Sequence, residues 1–201
     1  MITDLATCER ELRRIDYLMD RRAVFPNQVF RVPVCDFWIL EFDEFWTGRL
    51  FRDLKALSCA IGDEGFTLAV LKPDPTDYFF HHFKKCPILR FSLEESDRDY
   101  FGRINADPGS SPADAVAVNS DVVLAYAESL RWAVYGSRHW EIAAMAAMDE
   151  GVADAVRATP LAEIAVTTAL AVHTLVPMIY ERGVPEELSS GLLANYQAGT
   201  G

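Results

Sequence analysis

The chain has 201 residues, of which half are apolar and 24% are charged, a composition that excludes an intrinsically disordered protein. Asp and Glu number 30 against 19 for Lys and Arg, so the formal net charge is −11. A field of this sign repels nucleic acid phosphates and anionic lipid headgroups, so we expect neither nucleic acid nor a membrane as a partner. The length suits one domain, residues 1–201.

The cysteines and the N-terminal residues indicate where the protein acts. The cysteines are scattered, form no C-x-x-C pair and lie among apolar residues, where free Cys behaves as a small hydrophobe. They are Cys8, Cys35, Cys59 and Cys86. The N-terminal residues lack the apolar segment of a secretory signal. The sequence therefore predicts four reduced thiols and a cytoplasmic location.

An amphipathic helix is predicted over the first twenty residues, because apolar side chains recur at spacings of three and four. Residues 29–42 are rich in β-branched and aromatic residues and predict a strand, although Pro33 favours an edge or broken strand. A helix capped by Asp43 is then expected to end at Gly62, the type of residue that tolerates a left-handed C-terminal position.

The middle of the chain alternates short elements. The continuous apolar run 66–71 predicts a buried strand, and a short helix over 76–85 and a strand over 88–91 follow. Residues 92–95 form a capping-box pattern, which predicts a helix reaching about Ile104. The segment 105–112 is rich in turn-forming residues and is the place where the chain offers an internal sub-boundary.

The last part predicts three successive antiparallel strands over 121–127, 130–135 and 140–145, which form a β-meander. A long core helix over 161–179 follows, and Pro185 begins a final short helix. Short strands with interspersed helices indicate an α+β fold, mainly an antiparallel sheet with a C-terminal β-meander, covered by helices on one side.

Asp77 and His81 form the strongest pattern for catalytic chemistry. Positions four apart share a helix face, and a carboxylate beside an imidazole can bind a metal or share a proton. His82 points about 100° away from His81, and a catalytic zinc needs a third protein ligand, so no metal and no cofactor are expected. The alternative hypothesis is a small-molecule hydrolase or metal-dependent enzyme that uses Asp77, His81 and His139.

The predicted hairpin tip combines Arg138, His139 and Trp140, the residue types that are favoured at protein-binding hot spots. In the competing interpretation Trp132 and Trp140 pack across the hairpin, which leaves Arg138 and His139 as solvated turn residues.

Acidic side chains recur at Glu41, Asp43 and Glu44, and no phosphate-binding, nucleophile-elbow or metalloprotease motif occurs in the chain. The sequence thus favours a protein-binding module over an enzyme. We expect Arg138, His139, Trp140 and the three acids to bind a basic protein partner.

The segment 130–143 resembles the closing hairpin of small acidic bacterial proteins, including immunity proteins of polymorphic toxin systems. The likeness covers only this hairpin. It implies a binder that neutralises a toxin and carries no catalytic residues to transfer.

Overall fold

The computed structural model describes residues 1–109, 111–180 and 183–197. The strands are β1 (Asp36–Glu41), β2 (Gly65–Lys72), β3 (Ile88–Ser92), β4 (Val122–Ala127), β5 (Trp132–Ser137), β6 (Ile142–Ala147) and β7 (Val166–Thr167). The helices are α1 (Leu5–Leu18), α2 (Gly48–Ile61), α3 (His81–Phe83), α4 (Asp97–Ile104), α5 (Glu150–Ala158), α6 (Thr168–His173), α7 (Leu175–Ile179) and α8 (Glu186–Asn195). A π-helical turn spans Pro75–Phe80, and 3-10 turns span Phe42–Trp46, Pro112–Asp114, Arg138–Trp140 and Pro160–Glu163.

The strands form one sheet in the order β3-β2-β4-β5-β6-β1-β7, and each neighbouring pair is antiparallel. The predicted α+β class with a mainly antiparallel sheet is therefore confirmed, and β4, β5 and β6 form the predicted meander. Strands from both sides of the segment 105–112 contribute to this sheet, because β4 pairs with β2.

Helices cover both faces of the sheet, whereas the sequence led us to expect them on one. Val123 and Ala125 belong to a core shared with α2, α4 and α5, and Leu124 and Tyr126 belong to a second core shared with α1, α6 and α8. Because successive strand residues point to opposite faces, a strand that is buried throughout needs cover on both sides. All six residues of β4 are buried.

The predicted long helix over 161–179 is wrong. Val166 and Thr167 pair with Ile39 and Trp38 of β1, so extended backbone separates a 3-10 turn from α6. Pro177 lacks the backbone N–H that a continuous helix would use, and the helix is interrupted at Thr174, between α6 and α7.

The capping box lies four residues later than predicted. The Ser96 side chain accepts from the Asp99 N–H, and the Asp99 carboxylate accepts from the Ser96 N–H, at the start of α4. The Ser92 N–H does reach the Glu95 carboxylate at 3.3 Å, but this contact closes a turn after β3 and begins no helix.

The prediction of four reduced thiols is wrong for Cys8 and Cys86, which form a disulfide. Their Cα atoms lie 6.2 Å apart, within the usual range for a bridge, and both residues are fully buried. They are 78 positions apart in the sequence. The packing of α1, which contains Cys8, against the residues that directly precede β3, which include Cys86, brings them together. Cys35 and Cys59 are free.

No helix in the described part of the chain is long and apolar enough to cross a membrane.

Candidate protein-binding site

Strand register brings two acidic residues to the same end of the sheet. Glu41, the last residue of β1, pairs with Ile142, and the Phe42 N–H donates to the Glu141 carbonyl oxygen at 2.9 Å. Glu141 has a φ of 55°, which lets it end the 3-10 turn Arg138–Trp140 and lead the chain into β6. Glu41 therefore ends β1 beside Glu141, which directly precedes the neighbouring strand β6.

These residues border a cavity of about 360 Å³, which we call the acidic cleft. Its lining residues are Glu41, Phe42, Asp43, Arg138, Glu141, Met178 and Ile179. Three acidic residues and one arginine thus line the acidic cleft. Within the described residues none of the three forms an ion pair, so their negative charge is available to a cationic ligand.

Arg138 is held by neighbouring backbone and not by the acids of the cleft. Its Nε donates to the Ser120 carbonyl oxygen at 2.8 Å, and one terminal nitrogen reaches the Ala117 carbonyl oxygen at 3.3 Å. Its Cζ lies 5.0 Å from the centroid of the Phe42 ring, a cation–π distance. The guanidinium therefore has a structural role on one side of the cleft.

Met178 supplies an apolar surface beside the carboxylates. It is 77% exposed, the largest exposure among the large apolar residues of the described chain. A flexible thioether next to acidic groups suits the aliphatic stem of a Lys or Arg side chain, whose charged end then reaches the carboxylates. The acidic cleft can therefore contact both the aliphatic stem and the charged end of a Lys or Arg side chain.

Only part of the predicted binding set lies together. Glu41, Asp43 and Arg138 line the acidic cleft, whereas Glu44 does not and instead accepts from the Thr47 hydroxyl at 3.0 Å. His139 is exposed and lies outside the residues that line the cleft.

Trp140 is half-buried and has a structural role. Its indole N–H donates to the Phe25 carbonyl oxygen at 2.6 Å, and its own carbonyl accepts from the Tyr180 hydroxyl at 2.9 Å. The alternative interpretation, in which Trp132 packs against Trp140, is wrong. Trp132 pairs with Ala147 at the far end of the hairpin and is fully buried.

Asp77 and His81 line a separate, open cleft of about 720 Å³, together with Glu9 and His82. His139 does not line this cleft. Across the described residues, no group of three or more His, Cys, Asp or Glu side chains is arranged to hold a metal ion. The enzyme hypothesis stays a prediction.

Sequence reasoning missed Glu141 and Met178. Glu141 directly follows the hairpin tip, and the register of β1 against β6 was the missing information that places it beside Glu41. Met178 lies within the predicted core helix 161–179, whose pattern gave no sign that this residue is exposed on the short helix α7.

Comparison of the chain with protein families, curated proteins and solved structures finds no match.

Proposed function

We propose that the chain is a protein-binding module whose acidic cleft engages a basic surface of its partner. The observation that carries the proposal is that Glu41, Asp43 and Glu141, none of which forms an ion pair in the described part of the chain, line one cleft with the exposed Met178. The net charge of −11 supports it, since a field of this sign speeds encounter with a basic protein.

The hairpin likeness extends the proposal to toxin neutralisation, in which the module would cover a basic functional surface of a toxin. The proposal does not include the cytoplasmic location expected from four reduced thiols, because Cys8 and Cys86 form a disulfide and disulfides persist mainly in oxidising compartments.

The proposal is tested with fluorescent peptides of equal length that are rich in Lys and Arg, in Ser and Gly, or in Asp and Glu. Anisotropy titrations at several salt concentrations should show binding of the basic peptides only, with an affinity that falls as salt increases.

The triple variant Glu41→Gln/Asp43→Asn/Glu141→Gln should weaken this binding at least tenfold, because each lost charge contact contributes on the order of 1 kcal/mol. The control Glu9→Gln/Glu94→Gln/Glu187→Gln changes the net charge equally at exposed positions outside the acidic cleft. Equal weakening in both variants would attribute the binding to overall charge and reject the acidic cleft as the site.

A further inference from the structure

Three side chains on adjacent strands face α1 in one row. Thr67 of β2 pairs with Arg90 of β3 on one side and with Tyr126 of β4 on the other. Above this row lies Glu11 of α1, whose side chain is 1% exposed. A buried carboxylate is costly to desolvate, so its surroundings must compensate for its charge.

Two arginines and a phenol provide that compensation. Arg90 donates to Glu11 at 2.5 Å, Arg14 donates at 3.4 Å, and the Tyr126 hydroxyl donates at 3.1 Å. Burial, together with the neighbouring Glu11 carboxylate, raises the pKa of Tyr126, so this phenol stays a neutral donor. Glu11 therefore holds both guanidiniums in place.

The two arginines border a cleft next to the end of β2 where Gly65 lies. Gly65 pairs with Ser92 at the end of the β2–β3 hairpin, and a Cβ at this position would collide with the Phe91 carbonyl oxygen. Gly65 and Phe91 border a cavity of about 320 Å³, which we call the Arg14–Arg90 cleft. It is lined by Arg14, Glu64, Gly65, Phe66, Thr67, Arg90, Phe91, Ser92, Glu95 and Glu128.

The Arg14–Arg90 cleft offers donors and acceptors at separate positions. A guanidinium has five N–H donors. Arg90 uses one of its nitrogens to donate to Glu11. Arg14 uses two nitrogens, one for Glu11 and one for the Glu128 carbonyl oxygen, so both arginines have spare donors. Glu95 is already paired with Arg103 at 2.7 Å. In the described chain the Glu64 and Glu128 carboxylates have no ion-pair partner.

We propose that the Arg14–Arg90 cleft binds a small zwitterion that carries a carboxylate and an ammonium group, such as a free α-amino acid. The spare donors of Arg14 and Arg90 take the carboxylate, and Glu64 and Glu128 take the ammonium. A phosphate is disfavoured, because its second negative charge would face these two acids. This site is separate from the acidic cleft and does not depend on the proposed protein partner.

Ligand-detected NMR and calorimetry with L-alanine and L-serine test the proposal. Propionate and n-propylamine serve as probes that carry only one of the two charges. The amino acids should bind at millimolar concentration or better, and each single-charge probe should bind about tenfold more weakly, as expected for the loss of one charge-assisted contact.

Arg90→Gln should weaken amino acid binding about tenfold or more. Because it also removes a partner of Glu11, Arg90→Lys is the second variant: it keeps the positive charge and loses the planar donor pair, so binding should weaken while the fold is retained. Arg98→Gln, an exposed arginine of α4 outside this cleft, is the control and should bind as the wild type does.

Three results would overturn the proposal. They are absence of amino acid binding by the folded wild-type protein, binding of n-propylamine as tight as that of L-alanine, and undiminished binding by both folded Arg90 variants. Undiminished binding by Glu64→Gln/Glu128→Gln would reject the ammonium half of the assignment.

Discussion

The guanidinium of Arg138 stacks on the ring of Phe42, with 5.0 Å between Cζ and the ring centroid. Arg138 follows β5 and Phe42 follows β1, so this contact joins two strands that are not neighbours in the sheet. Together with the hydrogen bonds to Ser120 and Ala117, it fixes one side of the acidic cleft. The guanidinium donates to two carbonyl oxygens and to the Ser120 hydroxyl, which are all neutral, and within the described residues it forms no ion pair with the acids of the cleft.

Arg138→Met should therefore separate stability from binding. Loss of the charged hydrogen bonds and of the cation–π contact should lower the free energy of unfolding by about 1–3 kcal/mol. Basic peptides should nevertheless bind the folded variant more tightly, because the cleft becomes more negative. Urea denaturation and the anisotropy titration measure the two effects. His139→Ala, at the exposed neighbour, should change stability by less than about 0.5 kcal/mol.

The disulfide should be a major source of stability. Cys8→Ser/Cys86→Ser releases a constraint on a loop of 78 residues, for which chain entropy predicts a loss of about 4 kcal/mol. Denaturation with and without dithiothreitol measures it, and reduction should affect the wild type but not the variant. In Cys35→Ser/Cys59→Ser the effect of reduction should persist, since these thiols are free. If reduction leaves the wild-type midpoint unchanged, the bridge contributes no stability.

Asp53 should destabilise the fold at neutral pH. Its residue is 6% exposed, its Oδ2 has no hydrogen-bond partner within the described chain, and the Arg49 Nε is 3.9 Å away. Burial raises the pKa of Asp53 above its ordinary value of 3.8, against the opposing effect of Arg49. The destabilisation of the fold by charged Asp53 is therefore absent in acid, where this carboxyl group is protonated in both the folded and the unfolded state. The destabilisation grows as the pH rises from 3.8 through the folded-state pKa.

We expect Asp53→Asn to increase the free energy of unfolding at neutral pH by up to about 1 kcal/mol. The gain should vanish in acid, where wild type and variant carry the same charge. Urea denaturation across the pH range measures this. A gain that is independent of pH would show that the charge is not its source.

Asp149 should give the opposite pH dependence. It caps α5 by accepting from the Val152 N–H at 3.0 Å, and Arg131 donates to it through two nitrogens at 2.7 and 2.8 Å. The Arg131 hydrogen bonds lower the pKa of Asp149 below 3.8. The stability that the charged Asp149 provides is therefore present above pH 3.8 and is lost as the pH falls through the folded-state pKa.

Two substitutions at this position separate the cap from the charge. Asp149→Asn keeps a good capping side chain, so its free energy of unfolding should fall by less than about 1 kcal/mol, and only at higher pH, where Asp149 is charged in the wild type. Asp149→Ala should lose about 1 kcal/mol more, because the cap is also removed. Denaturation of both variants as a function of pH measures the difference. An equal loss in both would mean that the cap contributes little.

Local patterns predicted the elements whose signals are self-contained. The apolar spacing of α1, the Gly62 stop of α2 and the strands of the meander all depend on residues within one segment, and they occur as expected. The region from 161 to 179 did not follow its helical pattern. There the gain from pairing Val166 with the edge of β1 is a tertiary effect that no local pattern contains.

The candidate site was predictable only in part for the same reason. Glu41, Asp43 and Arg138 were identified as exposed charges, but nothing in the sequence showed that they share a cleft with Glu141 and Met178.

The amino acid sequence by itself determined the acidic character, the α+β class and the antiparallel meander, because these follow from composition and from hydrophobic periodicity over short segments. Tertiary structure decided the second helical layer, the Cys8–Cys86 bridge and which residues line the acidic cleft and the Arg14–Arg90 cleft. Each of these depends on strand register or on contacts between residues far apart along the chain, and such contacts become favourable only when the whole chain packs together.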